Sequence, residues 1–411
     1  MRIMIVNCHW DNRGDEAAIR AMIDELQLRY PNAEILVQRA LGSFKSFPEN
    51  AHVKVLPPFP QGTRRRKYVE PVSFLTNGRI NLTRNAKIFY DALRGSDIVL
   101  HAPGGPSIGD LYLAQETKKL ARLEAIMRSG VPYAFYAPSM GPFENRQRNP
   151  RRRRVLKKAA LICLREEISQ QMVKAFAPET NPIVTLDSAF QHPIDMQENE
   201  RKFQEYAQLR DFVGDGDKVI GVTITNLMWH AAYRQDGRTE QNIRAAFEAF
   251  IPYVVSRGYR VLFIPQLFDR GNDFDYMQSF AGENCFVMSD KYDCYFQQYV
   301  IGRIRAVVGM RYHSNIFSAK MGTPFVSVSY EQKMQGFMTR AGLMEHCLSI
   351  HDLSFDALKA KFDHMMEVYP QYKACLCEKK DTFRREAART TDLVCEIIDS
   401  LPQRPGRSPR P

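Results

Sequence analysis

Short apolar, β-branched runs alternate with amphipathic helical stretches twice over, and this alternation restricts the fold more than any other feature of the chain. The first set of runs is Arg2-Ile3-Met4-Ile5-Val6-Asn7, Glu34-Ile35-Leu36-Val37, Asp97 to His101, Tyr133 to Tyr136, Leu161 to Leu164 and Ile183 to Leu186. The second is Val219 to Ile224, Arg260 to Ile264, Arg305 to Val308 and Phe325 to Val328. Between them apolar residues recur at helical spacing, as at Ile19, Met22, Ile23 and Leu26, which makes one face of a helix apolar. Continuous apolar strands joined by helices belong to parallel sheets covered on both faces. The prediction is an α/β protein with two Rossmann-like domains facing across a cleft, followed by C-terminal helices.

The 411 residues leave room for two cores. The N-terminal domain is expected at 1–190, the connection at 191–217 where the sequence turns polar, and the C-terminal domain at 218–355. Residues 41–82 have weak periodicity and several prolines (Pro57, Pro58, Pro60), and read as a partly mobile excursion over the site. Helices are expected over 356–401, with their last part packed back on the first domain, and a disordered basic tail over 402–411.

No apolar run approaches the roughly 20 residues that would cross a bilayer, and the N-terminus enters a strand with no signal-peptide layout. Eight scattered cysteines fit a reducing compartment. Their one close pair, Cys375-Leu376-Cys377, lacks the second pair that zinc would need. The expected location is the cytoplasm, with the inner face of the membrane as a further option. The net charge of +11 gathers in runs such as Arg64-Arg65-Arg66-Lys67 and Arg151 to Arg154 rather than on aromatic-studded strands. That distribution suits a solvated surface, or one drawn to anionic lipid or substrate, better than nucleic acid.

The chemistry concentrates at strand-to-helix turns. Gly309-Met310-Arg311-Tyr312-His313-Ser314 follows an apolar run and opens a helix, with Pro324, Tyr330 and Lys333 beyond it. A guanidinium at a strand's carboxyl end can grip phosphate or carboxylate with two hydrogen bonds. An imidazole two residues on can exchange a proton near neutral pH. A lone histidine is more often a structural hydrogen-bonder, but Arg311 and Lys333 move the balance toward chemistry. Asn12-Arg13-Gly14-Asp15 occupies the first such turn, where Asp15 reads equally as a helix cap or as part of an anion-facing turn. Gly104-Gly105 and Gly141-Pro142 are turns at which backbone can approach a ligand. Arg165 reads as an anion clamp or a surface partner of Glu166, and Asp187 as a turn residue or a site carboxylate. No histidine–carboxylate spacing suggests a metal.

In order along the chain, Asn12, Gly14, Asp15, Gly104, Gly105, Gly141-Pro142, Arg165 with Ser169, Asp187 and Arg311-Tyr312-His313 through Pro324, Tyr330 and Lys333 resemble the polysaccharide pyruvyl transferase family. The resemblance implies two Rossmann-like domains arranged as in GT-B glycosyltransferases. It also implies transfer of a pyruvyl group from phosphoenolpyruvate to hydroxyls of a glycan or lipid-linked sugar, as a ketal. In that chemistry Arg311, Arg165, Lys333 and Ser314 would bind the donor. His313 would deliver a proton, and Asp15 or Asp187 would accept one from the hydroxyl. No metal or other cofactor is demanded, since arginines can neutralise the donor. Two alternatives stay open: a glycosyltransferase gripping a nucleotide-sugar ribose through Glu331, and a non-enzymatic protein that kept the fold.

Overall fold

The computed structural model describes residues 1–10, 12–40, 47, 49–60, 69–230, 232–233, 237–268 and 273–402. The basic run Arg64 to Lys67, much of the 41–82 excursion and the tail beyond Pro402 lie outside the described residues.

In chain order the strands are β1 (Arg2–Cys8), β2 (Glu34–Arg39), β3 (Val53–Leu56), β4 (Ile98–His101), β5 (Gly104–Ile108), β6 (Tyr133–Phe135), β7 (Pro138–Met140), β8 (Leu161–Leu164) and β9 (Ile183–Val184). They continue as β10 (Val219–Thr223), β11 (Arg260–Phe263), β12 (Cys285–Val287), β13 (Ala306–Gly309), β14 (Phe325–Ser329) and β15 (Cys347–Ser349). One sheet runs β3-β2-β1-β4-β6-β8-β9 and the other β12-β11-β10-β13-β14-β15. Every pairing within them is parallel, with Ile3 opposite both Ile35 and Ile98, and Ile220 opposite both Val261 and Ala306. Counted in the order the chain visits them, the second sheet has the doubly wound order 3-2-1-4-5-6, and the first has the same order with a seventh strand, β9, added at its edge. The two expected Rossmann-like domains are present and face each other.

Strand periodicity explains why the first sheet is covered twice. Side chains alternate across a strand, so Ile3, Ile5, Ile98 and Leu100 pack on one face and Met4, Val6 and Val99 on the other. The helix Arg13–Arg29 supplies Ile19, Met22, Ile23 and Leu26 to the first face. The helix Leu113–Ser129 supplies Leu120, Leu123 and Ile126 to the second. Each such side chain, fully buried, contributes about 1.5–3 kcal/mol.

Three stretches differ from the expectation. Residues 191–217, read as the polar connection, carry the helices Met196–Glu205 and Ala207–Val213; Phe203, Leu209 and Val213, with Tyr206 between the two helices, join the core of the second sheet. Those apolar residues fall three to four apart, enough for one buried stripe in an otherwise polar segment. The 41–82 excursion contains β3, which extends the first sheet, and the helix Glu70–Leu75. The glycine turns after β4 and β6 pair with each other as a small parallel sheet of β5 and β7.

At the C-terminus the helix Tyr369–Ser400 spans both bodies. Tyr372, Leu376 and Phe383 pack in the second core, while Val394 and Ile398 reach the first sheet. An Arg29–Asp392 ion pair of 2.7 Å fastens its end. Among the described residues no helix is long and apolar enough to cross a membrane.

Candidate active site

Each sheet reverses its strand order beside its first strand, between β1 and β4 and between β10 and β13. In open α/β sheets the crevice at such a reversal is where ligands bind. Here the two carboxyl edges confront one another around a cavity of about 270 Å³. The first sheet contributes Asn7, Asn12, Asp15, Gly104, Gly105, Lys119 and Arg165 to its lining, and the second contributes Trp229, Gln266, Arg311, Tyr312, His313, Tyr330 and Lys333.

The side around His313 is built from paired charges. Arg311 grips Asp273 with two bonds, Nε donating to Oδ2 at 2.9 Å and Nη2 to Oδ1. Asp273 in turn accepts the backbone amides of Gln266 and Leu267, each at 3.1 Å. Arg165 donates to Asp187 at 2.8 Å and to Ser139 Oγ at 2.9 Å, with its guanidinium 4.6 Å from the centre of the Tyr312 ring. Lys333 lies 2.5 Å from Glu331. Glu331 also accepts the Tyr112 hydroxyl at 2.9 Å and sits 3.2 Å from His230 Nε2. Burial alone would raise the Glu331 carboxyl, but Lys333 and His230 bring it down to about 2. This carboxylate is therefore committed to protein partners and is not open to a ribose.

His313 is 6% exposed, and its Nε2 lies 3.6 Å from Asp187 Oδ2, outside hydrogen-bond reach. Burial would raise Asp187, yet His313, Arg165 and the Ala189 amide hold it well below the usual carboxylate range. Gly14 makes the position of the imidazole possible. A Cβ there would stand 1.9 Å from His313 Nδ1, so only glycine lets the helix of the first domain meet this ring. Gly105 does the same for Arg165, since a Cβ would stand 2.8 Å from Nη2.

The opposite side, around Lys119, is differently made. The cap of the helix Arg13–Arg29 is Asn12, whose Oδ1 accepts the Gly14 amide at 2.7 Å. Asp15 is thus freed from capping, and it has no hydrogen-bond or ion-pair partner among the described residues. Asn7 sits in the left-handed region at φ 68°, where β1 shifts register against β2, and Asn is one of the few side chains suited to it. That twist lets its Oδ1 accept Arg122 Nη2 at 3.0 Å while the side chain faces the cavity. Lys119 is 7% exposed. Burial first, then Arg122, lower its ammonium to about 8, against the pull of Asp15 and Glu116.

Of the residues expected from sequence, Asn12, Asp15, Gly104, Gly105, Arg165, Arg311, His313, Tyr330 and Lys333 line the cavity, while Gly14, Gly141, Asp187 and Ser314 do not. Ser314 is wholly buried, donating to the Arg311 carbonyl at 2.6 Å and lying 2.9 Å from Thr223 Oγ1, so it shapes the turn rather than touching a donor. Asp187 is 0% exposed, does not line the cavity, and accepts Arg165 and the Ala189 amide, which places it behind His313 rather than against a bound hydroxyl. Gly141 faces Met172. Sequence reasoning overlooked Asn7, Lys119, Trp229 and Asp273, none of which carried a local signal; Tyr312 lay in the Arg311-Tyr312-His313 block without a role of its own. Among the described residues no three His, Cys, Asp or Glu side chains are placed to hold a metal ion.

The amylovoran biosynthesis protein AmsJ of Erwinia amylovora is 24% identical over 399 residues, covering 90% of this chain and 93% of its own length. Among solved structures, the UDP-GlcNAc 2-epimerase of Neisseria meningitidis superposes with a TM-score of 0.55 at 13% identity, covering 97% of this chain and 100% of its own. A UGT transferase of Siraitia grosvenorii superposes with a TM-score of 0.57 at 10% identity, covering 97% and 99%. At such identities the likeness carries the fold alone, the GT-B arrangement of two facing Rossmann-like domains. The family description of polysaccharide pyruvyl transferases matches residues 12–332, the span that contains every lining side chain except Asn7, His9 and Lys333, and the chain belongs to that family.

Proposed function

We propose that this enzyme moves the pyruvyl group of phosphoenolpyruvate onto two hydroxyls of a sugar in a polysaccharide or its lipid-linked precursor, forming a cyclic ketal and releasing phosphate. The observation that carries the reading is the convergence of Arg165, Arg311, Lys333, His313 and Asp15 on one cavity between the two carboxyl edges. The family membership and the likeness to a protein of amylovoran biosynthesis support it.

The chemistry divides among those side chains. His313 gives a proton to the vinyl carbon, which leaves the neighbouring carbon an oxocarbenium centre; such proton delivery is worth about 10²–10⁴-fold in rate. A sugar hydroxyl attacks that carbon and loses its proton to Asp15, a lining carboxylate without a hydrogen-bond or ion-pair partner among the described residues. The C–O bond to phosphate then breaks, its electron pair leaving with the phosphate. The second hydroxyl closes the ketal, its proton passing to the departing phosphate. Asp187 acts through His313 and Arg165, orienting both. Arg311 and Arg165, held rigid by their carboxylates, position the donor.

A nucleotide-sugar reading shares the fold but finds Glu331 already occupied by Lys333 and Tyr112. Calorimetric titration of the wild type with phosphoenolpyruvate and with a panel of nucleotide sugars decides between them. Saturable binding of phosphoenolpyruvate, weakened about tenfold or more in Arg311→Lys by loss of the two-pronged grip, is the expected result. Binding of a nucleotide sugar in its place would overturn the donor.

A further inference from the structure

We propose that Lys119, with Ser107, forms the subsite that receives the donor's phosphate, on the wall of the cleft opposite Arg311. The inference rests on the phosphoenolpyruvate reading and assigns one end of that donor.

Charge accounting leads to it. Arg165, Arg311 and Lys333 are each matched by one carboxylate, Asp187, Asp273 and Glu331. Among the described residues that side of the cavity has the geometry of an anion clamp in which each cation is already paired. Lys119 is the reverse case. It is nine-tenths buried, lines the same cavity, and has no hydrogen-bond or ion-pair partner among the described residues. Buried lysines are almost always paired, so an unpaired one aimed into a cavity points to a missing anion. Ser107, at the end of β5, is 3% exposed, lines the cavity, and its hydroxyl likewise has no protein partner among the described residues. An ammonium and a hydroxyl make a phosphate site of ordinary chemistry.

Among the described residues no group facing Lys119 makes an ion pair or hydrogen bond with it. On its own helix Arg122 is a second cation, and Glu116 is taken by Arg152 at 2.7 Å and Arg148 at 3.0 Å. His9, just past β1, and His101, at the end of β4, are driven down to about 3 by burial and by Lys119 and Arg122, so both are neutral at pH 7. Asp15, on the same side of the cavity, is the remaining carboxylate acting on it among the described residues, without forming an ion pair with it. When the C–O bond of the donor breaks and its electron pair passes to the phosphate, Lys119 faces the charge that grows there.

The test is steady-state turnover of Lys119→Met and Lys119→Arg beside the wild type, from about pH 6 to about pH 10, with inorganic phosphate as the competitive probe. Lys119→Met should raise the KM for phosphoenolpyruvate about 10–100-fold and weaken inhibition by inorganic phosphate by a similar factor. In the wild type both affinities should fall as pH rises through about 8, where the Lys119 ammonium loses its proton. Lys119→Arg should retain the affinities and lose that fall. Unchanged phosphate inhibition in Lys119→Met overturns the subsite, and so does a rise confined to the KM of the sugar acceptor. Should the methionine variant fail to fold, an unaltered fall above about pH 8 in Lys119→Arg overturns it equally. A wild type that turns over a nucleotide sugar and ignores phosphoenolpyruvate fails the donor reading itself, a result distinct from any of these.

Discussion

The His313 side and the Lys119 side of one cavity solve opposite problems. Around His313 the cations come with their own carboxylates, which fix Arg311, Arg165 and Lys333 in place at no net charge. Around Lys119 the two charged groups facing the cavity, Lys119 and Asp15, act on each other through space but have no hydrogen-bond or ion-pair partner among the described residues. Paired charges give orientation, because each guanidinium is locked before a ligand arrives. Unpaired ones give charge that only a ligand or a reaction completes. The contrast only partly follows the fold: Arg311 and Glu331 sit at turns after strands of the second sheet and Asp273 opens a short helix, but the Arg165–Asp187 pair belongs to the first domain, whose helices also carry Lys119 and Asp15.

The sharpest way to probe the comparison is at His313. His313→Ala should lower kcat about 10²–10⁴-fold while calorimetric binding of phosphoenolpyruvate stays within about threefold, because the clamps beside it are held by their own carboxylates. Normal turnover would remove the imidazole from the proton transfer.

Stability gives the next largest effect. Asp273→Ala strips a buried guanidinium of its partner and should cost about 3–5 kcal/mol in urea unfolding. Asp15→Asn, on the unpaired side, should stay within about 0.5 kcal/mol while losing turnover. Equal costs at the two positions would erase the distinction between the sides.

What could be read from the sequence follows from how local each signal is. The central strands were visible because both faces are buried, so β1, β4, β10 and β13 are continuous apolar runs. The edge strands β3, β12 and β15 were not, being three or four residues long and half-exposed, too short for periodicity to show. In the site, Arg311 and His313 stood out because one turn holds both. Asp273 did not, since its bond to Arg311 joins residues 38 apart that only the sheet brings together. Lys119 was hidden differently. It lies in a helix whose apolar pattern says which face is buried, but not that one buried position is an amine looking into a cleft. The Asn12 turn was located from sequence, but whether Asn12 or Asp15 caps it is a matter of side-chain geometry that spacing leaves open.

The two sides meet at Gly14, which makes it the place where a small change should affect both. Its Cα lies against the His313 ring, and an added Cβ would fall 1.9 Å from Nδ1. The ring cannot simply rotate away. Asp187 stands at its Nε2, the Tyr312 ring 4.9 Å from its centroid and the Phe317 ring 6.1 Å. The strain must therefore part the helix Arg13–Arg29 from the helix Tyr312–Met321 or displace the imidazole. Overpacking of this kind costs about 1–3 kcal/mol, the smallest of the three stability or barrier effects. Turnover should nonetheless fall by more than the stability loss accounts for, because Asp15 moves with the first helix and His313 with the second. Measured side by side, a kcat reduced about tenfold or more with a modest drop in Tm would show that the distance between the two sides is itself catalytic. A Gly14→Ala enzyme with unchanged kcat would mean that the sides act independently, and the pairing of Asp15 with His313 in one reaction would have to be abandoned.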